Sequence, residues 1–558
     1  MLTPHEKIVW FAVISRLFIL FLSAFFNFII PDHNADAFVS PRDPTDRVQT
    51  TVDLFVKHLF GGLVRWDAQY FIHVASYGYT YENCLAFFPL YPMIIRVFAG
   101  SLHYCLQGFL SRYSVFVVSS VLINFVTFVL SALVLYRLSL QVLKSAQLAY
   151  KAAILYCVNP ASIFFVAPYS ETLFAFLTFY GMLKCGNRSS KVSSVGCGLL
   201  FGLAAIQRSN GTLNLGFIVH EKLKYFLKFV LPDVVTKAKR VDSVFVAPLL
   251  LIPPVIAIIS LIGEIILAIT PFVMFQGYGY YKFCIVPNHN LPYFLVSHAR
   301  INHLKLPGTS LKSGLDNNHW CNSTIPLAYS YVQDHYWNVG FLRYYHWKQI
   351  PNFLLAIPII WIILVHAYRF VKQHPNQCRL LGLWEDPSRT DDPKVIEKMR
   401  IKMKQNEIKY APEMLVYIVH VVFLTIFCTL CIHVQVTTRM VASASPVLYW
   451  FIAYHFFKPT VSKDDFESKK PHSRNTNYFA TRLRLISSNK KESRVEEEVD
   501  SLENLESRWK VRSHVATFAA MQYKKLRNSW VRCVNNGATR KVAAAEPAAR
   551  YFSMLRAA

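Results

Sequence analysis

Apolar runs, most of them about 17 to 25 residues long, recur along this chain, at roughly 8 to 30, 114 to 136, 148 to 167, 170 to 184, 195 to 219, 244 to 275, 352 to 371, 414 to 434 and 442 to 457. A helix of that length crosses the hydrocarbon core of a bilayer. Of 558 residues, 53% are hydrophobic and 15% aromatic, which is too apolar for a soluble domain of this size. The expected fold is an all-α polytopic membrane protein.

The first run, "IVWFAVISRLFILFLSAFFNFII", is long and has no small-residue cleavage site after it, so it reads as a retained anchor. A formal net charge of +26 raises the question of nucleic acid. Much of that charge sits in short loops, where Lys and Arg mark the cytosolic side and anionic lipids supply the counter-charge, so no nucleic-acid partner is expected.

Charge also orients the segments. "YRLSLQVLKSAQLAYK" and "KCGNRSSK" hold Arg137, Lys144, Lys151, Lys184, Arg188 and Lys191 with no acid, which places both in the cytosol, along with 220 to 240 and about 372 to 411. By alternation, the loops at about 31–113 and 276–350 face the other compartment. The run 195 to 219 resists this count, because "QRSNG" interrupts it. A break into half-helices accounts for the interruption, since irregular backbone at membrane depth survives only when buried in protein or lining a wet cavity. Gln207, Arg208, Ser209 and Asn210 are therefore cavity candidates. From 458 the apolar runs stop and charges crowd together, so 458–558 reads as a cytosolic, largely disordered tail.

Eleven Cys are scattered without CxxC pairs, which argues against a zinc site or a disulfide scaffold. Cys84, Cys105, Cys284 and Cys321 fall in the non-cytosolic loops, and which of them pair stays open. His289, His298 and His303 lack metal-ligand spacing, so no metal is expected. Of the sequons at Asn187, Asn210 and Asn322, Asn322 alone lies in a non-cytosolic loop clear of the membrane and is the glycosylation candidate. No P-loop, GxSxG elbow, Rossmann fingerprint or inverted repeat is present.

Polar groups near membrane spans are costly, at roughly 2.5 to 3.5 kcal/mol for a central Asp, Lys or Arg. Here they gather on one side. "VRWDAQYFIHVASYGY" places Asp67 between Arg65 and aromatics at a membrane surface, a setting suited to a general base; an interfacial Arg and Asp beside a Trp anchor is the plainer alternative. Arg208 and Arg439 suit a lipid phosphate, because a guanidinium meets two of its oxygens at once, although snorkelling arginines look the same in sequence. "HYWNVGFLRYYHWKQIPNF" mixes aromatic faces with amides and imidazoles, as sugar rings and headgroups require.

Taken together, "RWDAQYFIHVASYGYTYENCLAFFPLYP", "NPASIFFVAPYSETLFAFLTF", "RSNG", "YWNVGFLRYYHWKQIPNFLLAIP" and "TTRMVASASPVLYW" closely resemble the PIG-V type mannosyltransferase family, and occur in the family's order. The resemblance implies a GT-C type transmembrane bundle over 1–457, with lumenal loops carrying short amphipathic helices, in the endoplasmic reticulum membrane. It implies transfer of an α1,6-linked mannose from dolichyl phosphate mannose to the first mannose of the glycosylphosphatidylinositol (GPI) anchor precursor, on the lumenal side, with no cofactor. In that class an acidic residue of the first lumenal loop is the catalytic candidate, and Asp67 occupies the matching position. Arg208 and Arg439 are then expected at the donor phosphate, and His73, Glu82, Glu171, Tyr336, Trp337 and Asn338 around the acceptor. Partners are the lipid-linked donor, the acceptor glycolipid and a small accessory membrane subunit. A lipid or sugar-lipid transporter is the alternative from another class.

Overall fold

The structure is a computed structural model that describes residues 2–30, 37–46, 50–106, 108–186, 191–238, 250–286, 291–308, 320–384 and 410–457. The charged tail read over 458–558, together with His289, Asn290 and the sequon at Asn187, lies outside the described residues. Among the described residues there is no β-strand.

Among the described residues, five helical stretches are long and apolar enough to cross a membrane: Pro4–Ile29, Arg112–Leu143, Ile252–Ile285, Trp347–Gln373 and Pro412–Cys431. Nine such runs were expected, and the difference has a physical cause. The run at 148 to 167 is a helix, Ala146–Cys157, that stops before Asn159 and Pro160. The run at 170 to 184 is the helix Glu171–Cys185, whose 15 residues span about 22 Å, short of a bilayer core of roughly 30 Å. Ten of its residues are buried among neighbouring helices, so its apolar character serves protein packing rather than lipid contact.

The interruption expected at "QRSNG" is present. A helix ends at Gln207, Arg208 takes an extended conformation, and a 3-10 turn at Ser209–Asn214 leads into the helix Leu215–Tyr225. Gly198 and Gly202 allow the first of these helices to lie against Ile252–Tyr280: a Cβ on Gly202 would stand 2.6 Å from the Leu267 carbonyl.

The two large loops carry short helices, as expected: Thr51–Phe60, Asp67–Tyr77 and Leu90–Leu106 in the first, Tyr293–Ile301 and Ala328–Trp337 in the second. They join in an aromatic core of their own, in which Tyr81, Phe88 and Phe275 are buried with Trp320 and Val332. Cys284 and Cys321 form a disulfide within the second loop, with Cα atoms 5.7 Å apart, while Cys84 and Cys105 are free thiols.

Two polar residues inside the spans fasten the segment 158–170. Arg16, fully buried, donates to the carbonyls of Cys157 at 2.8 Å and Ser162 at 2.9 Å and lies 3.9 Å from the centre of the Phe128 ring. The helix Ala146–Cys157 thus ends in carbonyls that meet a cation, which offsets the cost of a charge at that depth. Asn124 donates to the Ala167 and Tyr169 carbonyls further along. Phe164, Tyr169 and Glu171 are consequently delivered to one place.

Candidate active site

Four ionisable side chains from four separate elements meet there. Asp67 is the first residue of the helix Asp67–Tyr77, and Glu171 the first of Glu171–Cys185, so both carboxylates stand at positive helix ends. Arg208 occupies the break after Gln207, and Arg439 lies in the helix Thr437–Ala444. Arg439 Nη1 is 2.7 Å from Asp67 Oδ2, and its Nε is 2.8 Å from Glu171 Oε1. The same Glu171 oxygen is 2.6 Å from Arg208 Nη1, which also donates to Ser170 Oγ at 3.1 Å.

The local backbone explains how Asp67 is aimed. Trp66, immediately before it, has φ 50° and ψ −116°, a conformation that costs a residue with a Cβ roughly 1 to 3 kcal/mol. The two residues before it are fastened by hydrogen bonds: Gln69 Nε2 donates to the Val64 carbonyl at 2.9 Å, and Tyr169 Oη to the Arg65 carbonyl at 3.1 Å.

Asp67, Arg208 and Arg439 all line one cavity of about 960 Å³. Gln207, Ser209, Asn210, Trp66, Tyr336 and Trp337 line it too. Tyr70, one helical turn after Asp67, lies in the wall as the middle of a stack, 4.3 Å from Phe38 on one side and from Phe87 on the other. Leu355, Phe423, Leu424 and Phe427, from two of the long apolar helices, complete the wall with aliphatic and aromatic surface.

Four residues expected around an acceptor do not line this cavity. Glu171 has no exposed surface and is enclosed by the two arginines. His73 is buried, bonded to Ser40 Oγ at 2.9 Å and Thr80 Oγ1 at 2.6 Å. Glu82 is buried as well; it accepts from Trp320 Nε1 at 3.0 Å and Tyr336 Oη at 2.9 Å, and Lys305 Nζ lies 4.0 Å away. Asn338 is exposed and ends the helix Ala328–Trp337 in a left-handed conformation, φ 51° and ψ 40°. These residues shape the wall from behind or at its edge. The glycosylation candidate Asn322 is exposed.

The electrostatics follow from this enclosure. Burial works against the charge of Arg439, yet Glu171 and then Asp67 hold it above the ordinary guanidinium value. Burial and the nearby His298 push His73 down to about 3, so its ring is neutral and serves as a hydrogen-bonding strut. Sequence reading missed Arg16, Asn124 and Phe38. For the first two the signal was available, since a polar side chain inside an apolar span is a warning of a specific partner. Nothing in the sequence near Phe38 marked it.

A family model described as mannosyltransferase (PIG-V) matches residues 5–481. The chain belongs to the PIG-V mannosyltransferase family. Relatives of this mannosyltransferase include the Cricetulus griseus protein named GPI alpha-1,6-mannosyltransferase 2, 39% identical over 81% of this chain and 84% of that one. The Homo sapiens protein of the same name is 36% identical with the same coverage. The Drosophila melanogaster GPI mannosyltransferase 2 is 34% identical over 81% of this chain and 92% of its own. Among solved structures, an archaeal oligosaccharyltransferase from Archaeoglobus fulgidus is similar over 84% of this chain and 54% of that one, with a TM-score of 0.34 and 13% identity. This member of the family is thus a multi-pass membrane glycosyltransferase, which decides against the transporter alternative.

Proposed function

We propose that this mannosyltransferase moves mannose from dolichyl phosphate mannose to the first mannose of the GPI anchor precursor, in α1,6 linkage, at the lumenal face of the endoplasmic reticulum membrane, on a GT-C type fold. The observation that carries this reading is the meeting of Asp67, Arg208 and Arg439 on the wall of one cavity with a sugar-sized aromatic face and an apolar flank. The names of the relatives support the linkage and the acceptor. The Cys284–Cys321 disulfide in the second large loop supports a lumenal face, because disulfides persist in oxidising compartments.

In the proposed reaction Asp67 takes the proton of the attacking hydroxyl. That oxygen bonds to mannose C1 from the side opposite the phosphate, and the C1–O bond breaks with its electron pair going to the leaving phosphate. One displacement converts the donor's β-linked mannose to an α product. Arg208 and Arg439 stabilise the charge that grows on the phosphate. No covalent sugar–carboxylate intermediate forms, unlike retaining glycoside hydrolysis with its closely spaced carboxylate pair. Leu355, Phe423 and Phe427 suit a polyprenyl chain, and Tyr70, Tyr336 and Trp337 suit the acceptor sugar. The binding of a small accessory subunit belongs to the same proposal.

The test is transfer by the purified full chain in nanodiscs, given radiolabelled donor and the acceptor glycolipid. The expected product carries one new α1,6-linked mannose, and Asp67→Asn at equal folded amount loses at least about a hundredfold in rate. Full activity of that variant, or a different linkage, overturns the proposal.

A further inference from the structure

Arg439 is held on three sides. Its Nε meets Glu171, its guanidinium carbon lies 5.1 and 5.4 Å from the ring centres of Phe164 and Tyr169, and its Nη1 meets Asp67. The two carboxylates on it differ in freedom. The Glu171 side chain has no exposed surface and also holds Arg208, so its departure would leave two enclosed cations without their anion. The Asp67 side chain is 29% exposed and faces the cavity, where water can take the place of the guanidinium.

Charge counting makes this difference matter. Asp67 and Glu171 cancel Arg208 and Arg439, so the cluster is formally neutral before any substrate arrives. A phosphate diester brings a third anion to the same two cations. The anion it competes with is the more weakly enclosed one, and a phosphate diester offers Arg439 paired oxygens in a geometry that suits the guanidinium fork.

We infer that the donor phosphate displaces Asp67 from Arg439, so that the base is freed for the acceptor only once the donor is seated, and that Glu171 is the positioning residue that keeps both guanidiniums in place through this exchange. This rests on the reading of Asp67 as base and of the arginines as phosphate holders. It deepens that reading by setting an order: donor first, acceptor second. The substrates thereby assemble the reactive pair, and the resting enzyme holds its base neutralised.

Dolichyl phosphate, the donor without its sugar, is the probe. In full-length protein in nanodiscs, Asp67→Asn binds dolichyl phosphate about tenfold more tightly than wild type, since the competing anion is gone. Acceptor glycolipid binds wild type only when dolichyl phosphate is present. Equal or weaker binding of dolichyl phosphate by Asp67→Asn, or acceptor binding that ignores it, overturns the displacement even if wild type transfers mannose normally. Absence of transfer by wild type in the same nanodiscs overturns the function and this inference with it. For Glu171, folded Glu171→Gln loses about a hundredfold in kcat, and Glu171→Asp recovers part of it. An unchanged kcat per folded molecule in Glu171→Gln overturns the positioning role.

Discussion

The Tyr336 hydroxyl donates to Glu82 Oε2 across 2.9 Å, and this bond ties the second large loop to the first. On its other oxygen Glu82 accepts the Trp320 indole at 3.0 Å, next to the disulfide at Cys321. The edge of the cavity formed by Tyr336 and Trp337 therefore hangs on a carboxylate that is itself out of reach of the cavity. Glu82→Ala removes the acceptor of the buried Trp320 indole and of the half-buried Tyr336 hydroxyl, at roughly 1 to 3 kcal/mol for the buried donor. The expected outcome is a lower unfolding temperature together with a raised acceptor KM and a nearly unchanged donor KM. Tyr336→Phe gives a smaller fall, of about 0.5 to 1.5 kcal/mol. An unaltered acceptor KM in folded Glu82→Ala refutes the link.

Gly211 packs directly on the preceding helix, where an added Cβ would collide with the backbone carbonyl of Ala204. That contact fixes the 3-10 turn that follows Arg208. Gly211→Ala is expected to destabilise the protein by roughly 1 to 3 kcal/mol and to lower kcat/KM more than Gly216→Ala, where an added Cβ meets nothing within 4 Å. Parallel thermal melts and transfer assays check the pair, and equal kinetics in the two variants would count against the assigned role.

His73 supplies a pH signature. Its folded value lies at about 3 against an ordinary 6.5, because burial and His298 disfavour the cation. Below 6.5 the unfolded chain binds a proton that the folded chain refuses. Stability from the neutral ring is thus complete above 6.5 and declines as pH falls, by about 1.4 kcal/mol per unit for one proton. Unfolding measured between pH 7.5 and 5 should show this slope reduced by one proton in His73→Gln. Identical slopes in the two proteins would contradict it.

The Cys284–Cys321 bond predicts two thiols that react only after reduction. Maleimide labelling of the denatured chain, read by mass spectrometry, should add two labels when reductant is present. Cys284→Ser and Cys321→Ser should each lower stability by roughly 2 to 4 kcal/mol, with the double variant no worse than either. Additive losses would mean that the two cysteines are not partners.

Much of the site was readable from spacing and cost. "QRSNG" inside an apolar run announced a break, and its residues 207 to 210 do line the cavity. Arg439 and Asp67 were singled out by type and by side of the membrane. His73 does not line the cavity, for a reason that helical geometry makes plain: in a helix that begins at Asp67, Tyr70 shares its face, whereas a residue six positions on is turned well away. The start of that helix depends on the unusual backbone of Trp66, which no propensity foretells.

The surplus of expected spans has a similar origin. Ala146–Cys157 and Glu171–Cys185 carry mostly apolar side chains that pack inside the protein, and burial in protein and burial in lipid select the same kinds of side chain.

By itself the sequence determined the helical membrane class and the family, since these follow from apolar length and motif order. Only the tertiary structure decided who pairs with whom. Glu171 became the shared partner of Arg208 and Arg439, and Asp67 the exposed one, because carboxylates on the first turns of two helices met guanidiniums from two other elements. Ion pairing and enclosure are properties of distances across the fold, and the order of residues along the chain does not contain them.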